Sequence, residues 1–250
     1  MSTITLQPAA PSKPVRALPG RRFDHLFFST MAVLMLATVF LGFARTYYLA
    51  GIFHAPLPSL IVHIHGAAFS CWILLLVTQT SLVSTGRLQV HRRLGIAGFG
   101  LACLMVILGV LAATDSLVRQ AGPPGRDPSF FYIIPLTDMV IFATLISQAF
   151  RFRSDPATHK RLIMVGTVAL LIAAIARWPV LGHRDAVRAA LLSYVFLLFL
   201  AAYDLWSTRR IHRATLWASA FLIFVQQIRI PIGKTAAWHA FAAWVQSIAR

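Results

Sequence analysis

Seven apolar runs, near residues 26–48, 59–83, 94–114, 130–150, 161–180, 187–206 and 214–230, constrain this chain more than any other feature. A run of about 20 such residues, rising about 1.5 Å per residue as a helix, crosses a hydrocarbon layer about 30 Å thick. No water reaches the backbone there, so each crossing segment must satisfy its own amides, which a helix does. Composition agrees: 58% of the residues are hydrophobic and 12% charged, against about 25% charged in soluble domains. The chain is expected to be all-α, a polytopic bundle of about seven transmembrane helices whose first partner is the lipid bilayer.

The charge pattern sets the orientation. With the N-terminus inside, fourteen of the 23 Lys and Arg residues fall on the cytoplasmic side: Lys13, Arg16, Arg21, Arg22, Arg87, Arg92, Arg93, Arg151, Arg153, Lys160, Arg161, Arg209, Arg210 and Arg213. Only Arg119, Arg126, Arg184, Lys234 and Arg250 lie in outer connections and the tail; Arg45, Arg177, Arg188 and Arg229 sit near outer ends of spans. The net charge of +16 therefore reads as inside-positive topology and not as a nucleic-acid surface. All seven acidic residues are Asp. Cys71 and Cys103 lie singly within apolar runs, which leaves packing as their role.

Three segments follow. Residues 1–22, Pro-rich and basic, are expected to form a disordered arm, 23–230 the bundle, and 231–250 a helix on the outer membrane surface, with Trp238, Phe241, Trp244, Val245 and Ile248 as its apolar stripe. The "GKT" at 233–235 is no phosphate loop, because Ile228 stands where that motif needs glycine. A short repeat links "VHRRLGIAG" (90–98) to "THKRLIMVG" (158–166) and, loosely, "IHRATL" (211–216). His25, His91, His159 and His212 thus each stand near the start of an outward-going span, from hairpin duplication or as polar interface anchors.

Polar groups inside the runs mark candidate sites. A carboxylate within a membrane costs at least about 2.5–3.5 kcal/mol and normally finds a partner in the interior. Asp138 is the one acidic residue deep in a span, and Arg177, at a similar depth from the outer side, is its expected ion partner. His63 and His65, in "VHIHG", enter the second span at that depth. On a regular helix residues i and i+2 point about 200° apart, so both can face one ligand only if the helix is still irregular at His63. In that case His63, His65 and Asp138 would suit Cu, Zn or Fe. Otherwise the histidines serve as internal hydrogen-bonding or proton-relay groups, or sit at the interface. If the four outer arginines faced inward, they would attract an anionic small molecule or a quinone headgroup; otherwise they snorkel to lipid phosphates.

The second candidate site is cytoplasmic. His91 and His159 open two spans at matching depth, as two imidazoles holding one haem would require, with Arg92, Arg93, Lys160 and Arg161 available for its propionates. The "HRRLG" element in a small His-bearing bundle resembles the cytochrome b561-like membrane redox proteins. The wider pattern "HxHGxxFxxW…Q…GRxxxHRxLG…PLTD…HKRL…ARWP", over about residues 60–180, resembles a group of uncharacterised bacterial multipass proteins. These resemblances imply a bacterial cytoplasmic (inner) membrane location and a redox role with haem b. The b561 arrangement has a histidine pair near each face; here the outer histidines lack a histidine partner within another span, which leaves one haem at His91 and His159. The expected function is therefore an integral membrane protein with an intramembrane His/Asp/Arg site that binds haem or a transition metal in a redox or cofactor-handling role. A small-solute or proton transporter, or a structural protein in which these residues form an ion-pair lock, is the competing reading. No nucleophile–base spacing identifies an enzyme.

Overall fold

The computed structural model describes residues 20–56, 58–122, 125–178 and 186–249. Most of the expected N-terminal arm lies outside them. The chain forms α1 (Gly20–Phe43), continued by a π-helical turn at Ala44–Tyr48, then α2 (Leu60–Ser84), α3 (Leu88–Val118), α4 (Pro128–Arg151), α5 (Pro156–Ile175), α6 (Ala186–Thr208), α7 (Arg213–Gly233) and α8 (Ala236–Ile248). Seven of these are long and apolar enough to cross a membrane. The protein is an all-α, multi-pass membrane bundle.

Local chemistry fixes several helix starts. Asp127 caps α4 by accepting from the Ser129 and Phe130 amides at 3.0 and 3.1 Å, and Pro128 follows at the first helical position. Asp155 and Pro156 repeat the device on α5, with the Ala157 and Thr158 amides at 3.0 and 3.3 Å. The carboxylate satisfies amides that have no helical partner, and proline loses nothing where its missing N–H would be unpaired anyway. His212 caps α7 through Nδ1, which accepts the Ala214 N–H at 3.1 Å. Burial, then the Arg161 guanidinium, holds this imidazole below its ordinary range and so preserves the acceptor.

α5 is the hub. It packs against α1, α4, α6 and α7, while α2 and α3 extend the bundle on the far side of α4. α5 is the most enclosed of the seven spans and α2 the least. Small residues allow the close approaches: a Cβ on Gly42 of α1 would collide with the Ala174 carbonyl of α5, and one on Gly166 would press on Ile146 and Leu145 of α4. Trp72 of α2 crosses the middle, its Nε1 donating to Thr167 Oγ1 at 3.2 Å and its ring standing edge-on to Phe142 at 5.1 Å.

Helix ends depart from the apolar runs where polar residues belong to helices. α3 begins at Leu88 and α5 at Pro156, so "HRR" and "HKR" lie inside first turns and not in loops. α5 ends at Ile175, short of the expected 180. α7 runs through Pro231 to Gly233; so near a helix end, loss of one amide donor is tolerated.

The C-terminal stripe is divided between two neighbours. Trp238, Ala242 and Val245 of α8 pack on Ala113 and Leu117 of α3 and Tyr132 of α4. Trp238 Nε1 donates to the Ser129 carbonyl at 2.7 Å. Phe241, Trp244 and Ile248 stay exposed along the adjacent edge. His239 fastens the helix further: Nε2 donates to Asp127 Oδ2 at 2.8 Å and Nδ1 to the Thr235 carbonyl at 2.9 Å. Both ring nitrogens face acceptors, so the imidazolium is the form that fits.

A pH window follows from this pair. The Thr235 carbonyl and then the Asp127 carboxylate raise His239 above its ordinary 6.5, so its contribution is complete below that value and fades as pH climbs through the raised one. Desolvation pushes Asp127 up, but the hydrogen bonds from His239, Ser129 and Phe130 prevail and hold it below 3.8, so its contribution is complete above that value and fades on further acidification. α8 should be docked most firmly between pH 3.8 and 6.5 and looser at alkaline pH. Hydrogen exchange of the α8 amides across pH, corrected for intrinsic rates, should show this dependence, and His239→Gln should flatten it.

Candidate functional site: two buried ion pairs and a facing histidine pair

Asp138 is buried on the face of α4 turned to α7, and its partner is Arg229. Arg229 Nη1 donates to Asp138 Oδ1 at 2.6 Å, with Thr137 Oγ1 at 3.3 Å and the Ile134 carbonyl at 3.4 Å. Both residues are almost fully enclosed, at 8% and 4% exposure. The expected Asp138–Arg177 pair is therefore not formed. Arg177 Nη1 donates to its own helix at Ala173, 2.5 Å away, and its guanidinium lies over the Phe43 ring at 4.6 Å. Depth can be read from sequence but helix rotation cannot, and rotation turns Asp138 to Arg229.

The two histidines of "VHIHG" diverge. α2 is already regular at Leu60, so the irregular start that would bring both rings together is absent. His63 is exposed, its ring 5.4 Å from that of Tyr47, whose hydroxyl donates to the His63 carbonyl at 3.1 Å. His65 turns inward against Phe69, 4.1 Å between centroids, with Arg177 near enough to act on its charge. Among the described residues no group of three or more His, Cys, Asp or Glu side chains could hold a metal ion. The expected outer set of His63, His65 and Asp138 is thus not assembled. Of the four outer arginines, Arg45 lies over Phe53 at 5.1 Å, and Arg177 and Arg229 have the partners just described.

At the basic end His91 of α3 and His159 of α5 do meet. Their ring centroids are 6.5 Å apart and the planes nearly perpendicular, at 85°. His159 Nδ1 lies 2.8 Å from the Ala149 carbonyl. A carbonyl only accepts, so Nδ1 carries the proton and Nε2 of the neutral ring keeps a lone pair. His91 Nδ1 and the neighbouring Gln79 Oε1 are buried without a hydrogen-bond partner among the described residues. Arg92 and Arg93 remain exposed nearby. Lys160 and Arg161, expected to serve the same site, are engaged elsewhere.

Lys160 Nζ contacts Asp24 Oδ2 at 2.6 Å, and Tyr203 donates to the other oxygen of Asp24 at 2.6 Å, which ties α1, α5 and α6 together. Arg161 is buried against Asp204: Nε and Nη2 lie 3.0 and 2.5 Å from Oδ1, while Nη1 donates to the Ala157 carbonyl at 2.8 Å. Asp204 Oδ2 accepts from Thr215 Oγ1 at 2.6 Å and the His212 amide at 3.0 Å. This carboxylate, 0% exposed, joins α5, α6 and the start of α7 with both oxygens satisfied. Its importance was missed because Asp204 and Arg161 stand near span ends, where charges are usually solvated. Their one sequence signal is the company of an acidic residue, a rarity in this chain.

No family model, curated protein or solved structure matches the chain.

Proposed function

We propose that this multi-pass protein binds one redox centre, haem b or a transition-metal ion, between α3 and α5 through His91 and His159. The facing of these two imidazoles carries the reading. Their centroids lie 6.5 Å apart, and a haem iron or a transition-metal ion would be held by one imidazole from each helix. The Ala149 carbonyl holds His159 as outer-sphere acceptors hold ligating histidines, fixing the tautomer that leaves Nε2 with a lone pair. His91 brings an unpaired ring nitrogen from the opposite helix. α3 and α5 have no extended packing on each other, so a group inserted between the rings would not have to break a helix interface. Arg92 and Arg93 would hold propionates. The bound centre would supply reversible one-electron chemistry; the protein's part would be to hold it through His91 and His159.

The setting is a bacterial cytoplasmic membrane, with the basic end and the N-terminus inside and α8 on the outer surface. The inside-positive charge distribution supports it, as do the aromatic side chains that α8 leaves exposed. A lipid-soluble carrier such as a quinone is the class of partner that fits a redox role there. A structural role is favoured by a different group of residues: Asp204 has a donor on every available side and joins three helices.

The test is optical. Protein purified in detergent after expression with haem precursor and metals should show a Soret band or a stoichiometric bound transition metal. His91→Ala and His159→Ala should each abolish it, and His63→Ala should leave it unchanged. A colourless, metal-free preparation that does not take up haem on titration overturns the proposal.

A further inference from the structure

One face of α7 carries more polarity than two ion pairs need. Thr215, Ser219, Gln226 and Arg229 fall within a band about 80° wide at 100° per residue, and this band turns inward. Thr215 meets Asp204 and Arg229 meets Asp138. Gln226, one turn from Arg229, is 2% exposed, yet neither its Nε2 nor its Oε1 has a hydrogen-bond partner among the described residues; Ser219 Oγ is also buried and unpaired. An amide buried without partners loses about 1–3 kcal/mol per unmade bond, and natural proteins fill such places with ordered water. The neighbouring carboxylate is also half-used. Oδ1 of Asp138 takes Arg229, whereas nothing among the described residues donates to Oδ2. Arg229 is the charged side chain that acts on Asp138, with no other from α3, α5 or α8.

We propose that Gln226, Asp138 and Arg229 form a hydrated proton-binding site inside the membrane, between α4 and α7. Water held by the Gln226 amide reaches Asp138 Oδ2. A proton arriving from the aqueous side is relayed through that water to the carboxylate, which becomes a neutral acid while the water stays neutral; the reverse relay returns it, and Arg229 stays cationic throughout. Leu222, completely buried between Ser219 and Gln226 on the same face, interrupts the polar line toward Asp204, so protons reach the site from the end bearing α8. This site is independent of the histidine pair at the basic end.

Infrared difference spectroscopy of the full-length protein in lipid, with pH jumps and H2O/D2O exchange, tests it. A protonated-carboxyl carbonyl band should appear on acidification, shift in D2O, and vanish in Asp138→Asn. Gln226→Leu should keep the band but slow its exchange by about tenfold or more, the factor that goes with losing one hydrogen bond to a charged group. The His91→Ala/His159→Ala protein should retain the band, which separates this outcome from failure of the redox reading. The proposal is overturned if no band depends on Asp138 at any pH where circular dichroism shows the bundle intact, or if the band resists deuterium for hours.

Discussion

Asp204→Ala should unfold or misassemble the bundle more readily than any other single change at the basic end. The substitution strands the Arg161 guanidinium, 3% exposed, and frees Thr215 Oγ1 and the His212 amide from their acceptor. Removing one partner of a buried ion pair costs about 3–5 kcal/mol, a large part of the roughly 5–15 kcal/mol that holds a typical protein folded. Arg161→Ala should be comparably damaging because it leaves the carboxylate without its cation. The double replacement Arg161→Met/Asp204→Leu should recover most of the loss, since apolar residues of similar volume often replace a buried pair without penalty. Unfolding in mixed micelles, followed by tryptophan fluorescence, measures all three. A single variant within about 1 kcal/mol of the parent, the scale of a solvated surface pair, would show that water already reaches this carboxylate.

The number of helices and their order were legible because hydrophobic length is a one-dimensional property. Every expected span has its helix, and the disagreements lie at ends. The early starts of α3 and α5 share a cause: "HRR" at 91–93 and "HKR" at 159–161 are helical but not apolar, so the apolar run starts after the helix does. The caps could have been read from "DP" at 127–128 and 155–156, where an acceptor side chain precedes a residue with no amide donor.

Side-chain partners were less legible. His91 and His159 come near each other because both open spans at the same membrane face and so share a depth, and two helices entering together need little rotation to bring such residues into contact. Asp138 had no such guide. The four outer arginines share a depth, and only the rotation of α4, set by Phe142 and Leu145 packing into the core, turns the carboxylate toward α7. The least apolar of the seven spans did hold a clue: Thr215, Ser219, Gln226 and Arg229 share one helical face. Periodic polarity in an otherwise lipophilic helix marks the side that meets other helices.

That assignment of partners has a decisive mutational consequence. Arg229→Ala should destabilise the bundle by about 3–5 kcal/mol, because it leaves Asp138 enclosed without its cation. Arg177→Ala should leave the Asp138–Arg229 pair intact, so whatever it costs should be independent of Asp138. Asp138→Asn should be much less harmful in the Arg229→Ala background than in the parent, since the stranded charge is then gone; in the Arg177→Ala background its effect should simply add. The same micelle unfolding assay reads both cycles. Coupling of Asp138 to Arg177 in place of Arg229 would mean that α4 or α7 is rotated in the membrane from the arrangement described, and the hydrated proton site would then lose the two helices it rests on.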